Sequence, residues 1–116
     1  MSSIKINKIE VHDIRVPTSD TLLGSDPFHK KPNYSCVYTT IHLSNGIKGN
    51  SVCFTAGAGN DWIVYGVKDI SKLRQEYEID NFIKNPGSTY KLINDHHQLR
   101  WLADGVNRLA LGCIMN

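Results

Sequence analysis

Between residues 4 and 16 the apolar positions come in pairs two apart: Ile4 and Ile6, Ile9 and Val11, Ile14 and Val16. Each pair alternates with polar residues, and the phase slips twice between pairs. That pattern predicts one long strand with a bulge or two, stopped by Pro17. Residues 35–43 alternate without a slip. Val37, Thr39, Ile41 and Leu43 share one face; Cys36, Tyr38, Thr40 and His42 share the other. Ser44-Asn45-Gly46 follows. Asn-Gly is the strongest short hairpin signal, so residues 47–54 form the return strand. Three strands in this order make a small antiparallel sheet.

The period then lengthens. Ile63, Val67 and Ile70 fall at i, i+4 and i+7, one face of a helix. Asn60 or Asp61 is the expected cap, since a carboxylate suits the positive N-terminal end. Ile79, Phe82 and Ile83 predict a second helix, broken or kinked by Pro86-Gly87. Tyr90, Leu92 and Ile93 resume a short helical or irregular piece. From Val106 to Met115 apolar residues cover nearly the whole helical circumference, the pattern of a buried helix. It has neither a Gly cap nor a charged last turn, so a large apolar continuation is expected beyond it. The fold class is α+β.

Two segments stand outside these periods. Residues 17–34 contain three prolines and Gly24-Ser25-Asp26. A loop that long inside a compact domain is usually functional or disordered. Its Thr18, Ser19, Ser25, Asp26, Asn33 and Tyr34 suit a polyhydroxylated ligand, because each can donate to or accept from a sugar hydroxyl. The same composition also suits a solvated surface loop. Asp26 has no neighbouring carboxylate, so paired acid–base chemistry has no local support. Thr55-Ala56-Gly57-Ala58-Gly59-Asn60 reads either as a tight flexible turn or as a mobile loop closing over a ligand. A dinucleotide fingerprint needs a third glycine where Trp62 stands, and the preceding strand belongs to a hairpin.

Composition narrows the classes further. The chain has 116 residues, room for one domain and too few for a complete TIM barrel of about 250 residues. Thirteen Lys and Arg against eleven Asp and Glu leave +2, too little to argue for nucleic acid. No apolar run reaches membrane-spanning length, and the N-terminus lacks a signal peptide's apolar core. The expected compartment is the cytoplasm, with Cys36, Cys53 and Cys113 as reduced thiols. Five histidines, scattered or adjacent, give no metal-ligand spacing.

Several strings together carry a resemblance. They are Asp13-Ile14-Arg15-Val16-Pro17-Thr18-Ser19, Gly24-Ser25-Asp26, Pro32-Asn33-Tyr34-Ser35 and Phe54-Thr55-x-Gly57-x-Gly59. Asn94-Asp95, Gln98-Leu99-Arg100-Trp101-Leu102 and the small-apolar helix from Gly105 to Asn116 complete the set. With the element order, they resemble the N-terminal capping domain of the enolase superfamily, in the mandelate racemase subgroup, nearest the L-fuconate dehydratases. The resemblance implies a three-stranded meander followed by a helical bundle. Residues 1–104 would be the cap, and 105–116 the start of the helix leading into a TIM-type barrel absent from this chain. Two loops would close over the barrel mouth. Gly24, Ser25, Asp26 and Tyr34 match the first loop's substrate contacts, and residues 55–59 match the second loop.

The implied whole enzyme is a magnesium-dependent sugar-acid dehydratase. It would turn L-fuconate into 2-keto-3-deoxy-L-fuconate by removing the α-proton and expelling the β-hydroxyl as water. The resemblance gives magnesium and the catalytic groups to the barrel and none to this chain, so the chain alone is expected to be inactive. Its implied partners are an acid-sugar substrate and its own barrel, with neither nucleic acid nor membrane; a homo-oligomer is compatible with the full-length enzyme. The alternatives are a stand-alone binding module derived from a cap, or the cap of a related acid-sugar dehydratase or racemase. Two departures bear on helix geometry: the short Ala103-Asp104-Gly105-Val106 link, and Pro86-Gly87 within a stretch usually helical in the family.

Overall fold

A computed structural model describes residues 4–21, 33–73, 79–95 and 105–116. Strands β1 (Ile6–Val16), β2 (Tyr34–Leu43) and β3 (Lys48–Phe54) form one antiparallel sheet in the order β1-β2-β3. Helices α1 (Asn60–Ser71), α2 (Ile79–Lys84), α3 (Pro86–Asn94) and α4 (Val106–Met115) follow. The α+β meander-then-helices order is as expected.

The hairpin turns as its dipeptide predicts. Gly46 takes φ +88°, Asn45 Oδ1 accepts from the Ile47 amide at 3.1 Å, and Leu43 N donates to Ile47 O at 2.9 Å. β1 differs from expectation in an informative way. Its register is irregular only between Ile6 and Lys8 and then runs unbroken to Val16. The second phase slip is no bulge: the apolar residues change faces. Ile9 and Val11 look toward the helices, whereas Ile14 and Val16 look outward, 40% and 48% exposed. Asp13 and Arg15 take the inward positions at this end of the strand, where Asn60 and Asp61 at the start of α1 receive them.

The inward sheet face and one side of the helices make the core. Val37, Ile63, Val67, Ile70, Ile93, Ala110, Leu111, Cys113 and Ile114 are buried together. Each large aliphatic among them contributes at most about 1.5–3 kcal/mol. Helix α1 buries the i, i+4, i+7 stripe read from the sequence. It crosses α4 where a Cβ on Gly66 would stand 2.8 Å from that of Ala110. Pro86-Gly87 does break the helix. Asn85 accepts from the Ser88 amide as N-cap and Pro86 opens α3, where its missing N–H costs nothing. Ile93 then carries α3 into the core.

Helix α4 is not buried all round, as its composition led one to expect. Ala110, Leu111, Cys113 and Ile114 face the core while Leu109 is 46% exposed. With ten residues and one sheet behind it, the helix has only one side to bury. Among the described residues, no helix is long and apolar enough to cross a membrane.

Candidate functional site

The end of the sheet where β1 finishes and β2 begins holds the polar cluster. Asn60, at the start of α1, is 2% exposed. Its amide nitrogen donates to Asp13 Oδ1, to Cys36 O at 3.1 Å and to Ile14 O at 3.3 Å. Its amide oxygen accepts from the Thr55 hydroxyl. Only this amide orientation matches donors to acceptors on both sides. Thr55 and Ser35 hydroxyls bond each other, and Gly57 N donates to Ser35 Oγ at 2.8 Å. Because the single Thr55 proton goes to Asn60, the Ser35 proton goes to Thr55. The result is one directed chain, Gly57 N–H to Ser35 to Thr55 to Asn60.

Asn60 is therefore not the helix cap expected from its type. Gly59 is the N-cap, at φ 94° with no side-chain cap bond, and Asn60 instead ties the helix start to two strands. Asp61 lies in the exposed first turn and receives Arg15 Nη2 at 2.9 Å. Arg15 also grips Asp13 with two nitrogens, at 2.8 to 3.1 Å. That guanidinium, followed by the Asn60 amide, holds the Asp13 carboxyl below its usual range, while Asp13 raises Arg15 in turn.

Tyr34 is half-buried at the first residue of β2, its ring centroid 5.9 Å from that of Phe54. The two loop exits also meet in the backbone: a Cβ on Gly57 would lie 2.6 Å from Asn33 O. Only glycine fits there, both for space and for its φ of +95°. Tyr34 and residues 55–59 thus share one end of the sheet. Gly24, Ser25 and Asp26 lie outside the described residues. Beside the second loop a groove of about 690 Å³ runs between Phe54, Ala58, Trp62 and Leu109. Phe54 is 62% and Trp62 70% exposed, so the wall next to the polar cluster is apolar and uncovered. Among the described residues, no three His, Cys, Asp or Glu side chains converge as a metal site.

Ser35, Thr55, Asp13 and Arg15 escaped the sequence reading as a cluster. The available signal was the pair of charges at 13 and 15, at inward positions where the alternation of Ile9 and Val11 calls for apolar side chains.

No protein-family model matches the chain. Individual proteins do. It is 29% identical over 118 residues to an L-galactonate dehydratase of Hypocrea jecorina, covering 100% of this chain and 26% of that protein. It is 31% identical over 116 residues to mitochondrial enolase superfamily member 1 of Xenopus laevis, covering 97% of this chain and 26% of the relative. The crystal structure of the human protein of that name superposes with a TM-score of 0.86 at 30% identity, over 98% of this chain and 27% of that one. The fold is that of the human protein's N-terminal domain. Over nearly its whole length the chain is similar to these proteins, matching the N-terminal domain of the enolase-superfamily one, and it spans about a quarter of their length.

Proposed function

We propose that this chain is the substrate-capping part of a sugar-acid dehydratase whose barrel supplies the metal and the proton-abstracting groups. The likeness along the whole chain to an L-galactonate dehydratase supports this reading most directly. The meeting of Tyr34 with Phe54 and of Asn33 with Gly57 at one end of the sheet agrees with it. The reaction proposed is loss of the α-proton and of the β-hydroxyl as water, leaving a 2-keto-3-deoxy acid. L-fuconate is 6-deoxy-L-galactonate, so the substrate named by the resemblance and the one named by the relative share every stereocentre and differ by one terminal hydroxyl. Tyr34, with Gly24, Ser25 and Asp26 of the first loop, is proposed to hold hydroxyls remote from the reacting carbon, positioning the substrate.

The test joins this chain to a relative's barrel and compares variants on both acids. Losing a hydrogen bond to a charged group costs about 1.5–3 kcal/mol. Asp26→Ala should therefore lower kcat/KM roughly 10–150-fold, with Tyr34→Phe losing less and magnesium affinity unchanged. Unchanged kinetics in both variants would return this loop to a solvated surface segment.

A further inference from the structure

We infer that Asn60 is a positioning residue: through Thr55 and Ser35 it locks residues 55–59 onto the open end of the sheet, making the second loop a fixed wall rather than a closing flap. The importance of that wall for substrate rests on the capping role proposed above; the rigidity itself does not.

Four observations converge. Asn60 is almost wholly buried and reaches β1 at Asp13 and Ile14 and β2 at Cys36, so the helix start cannot shift without breaking bonds to both strands. Its remaining polar atom is the acceptor for Thr55, the first residue of the loop. The relay ends on the Gly57 amide in the middle of the loop, and Thr55 N separately donates to Ser35 O at 3.0 Å. Finally, the Gly57 backbone sits against Asn33 O so closely that no side chain fits between them. A flexible loop would leave its amides to water. Here the Gly57 amide is spent on a partly buried hydroxyl whose own proton is committed, and such chains strengthen one another. Opening the loop would strand buried polar groups on Ser35 and Asn60, the costly side of hydrogen bonding.

Amide hydrogen exchange on the whole 116-residue chain reads this directly. The Gly57 amide should exchange at least about 100-fold more slowly than an open-chain amide, within the range of β2 amides such as Val37. Thr55→Val keeps the shape and removes the relay, so Gly57 should lose about tenfold in protection while Val37 and Thr39 keep theirs. Thr55→Ser keeps the hydroxyl and should preserve it. Open-chain exchange at Gly57 beside protected strands would overturn the inference. So would equal behaviour of the Val and Ser variants. Should Thr55→Val not fold, the unsubstituted chain and Thr55→Ser still decide, since both must protect Gly57. A barrel fusion that is inactive while Gly57 stays protected would count against the capping role alone.

Discussion

Glu10 shows how one residue can tie chain stability to pH. It sits on the outward face of β1, with Lys8 Nζ 2.7 Å and His42 Nε2 3.1 Å from Oε1, and His12 Nε2 3.3 Å from Oε2. Lys8 foremost, then His12, holds its carboxyl down to about 2 from an ordinary 4.5. A carboxylate with a depressed folded value stabilises the fold fully above its unfolded value. That contribution fades as pH falls from 4.5 towards 2. Glu10→Gln should be less stable than the parent at pH 7, and the difference should vanish near pH 2; the gap should shrink in high salt because the cluster is partly solvated. Urea titrations along a pH series would show it. Cys113 behaves oppositely: burial pushes its thiol up to about 11. At pH 8 only about a thousandth is thiolate, so thiol reagents should modify Cys113 only once denaturant opens the fold. A native chain alkylated rapidly at Cys113 would contradict that burial.

Elements built on a regular period were legible in the sequence, and those built on long-range polar contacts were not. The α1 stripe of Ile63, Val67 and Ile70, the Asn45-Gly46 hairpin and the break at Pro86 all depend on neighbours a few residues away. The second phase slip of β1 misled because spacing alone cannot separate a bulge from a change of buried face. The partners that settle it, Asn60 and Asp61, lie 46 or more residues further on. The apolar circumference of α4 overstated its burial for a similar reason: composition does not say how many sides have a neighbour. The α1–α4 crossing gives a direct test. With 2.8 Å between a Gly66 Cβ and that of Ala110, Gly66→Ala must push the helices apart. A loss of about 1–3 kcal/mol is expected. Adding Ala110→Gly should recover part of it, because the two sites share one contact. Equal urea midpoints for parent and Gly66→Ala would mean that the helices do not touch there.

At the scale of the whole molecule, the sheet end presents two surfaces side by side. One is the locked polar network around Asn60; the other is the uncovered apolar groove with Phe54, Trp62 and Leu109. The groove lies beside residues 55–59 and leaves Phe54 and Trp62 uncovered, an apolar patch of the kind that marks a binding surface. The relatives extend well beyond the quarter matched here, and the proposed activity belongs to such a whole protein. The most direct measurement is keto-acid formation by this chain fused to the barrel of an enolase-superfamily relative. The relative with its own cap and the barrel alone serve as the two references. Magnesium-dependent turnover of L-galactonate or L-fuconate by the fusion is expected, within about tenfold of the natural enzyme in kcat/KM, a difference of roughly 1.4 kcal/mol in transition-state stabilisation. A folded fusion that binds magnesium but turns over neither acid faster than the bare barrel would contradict it.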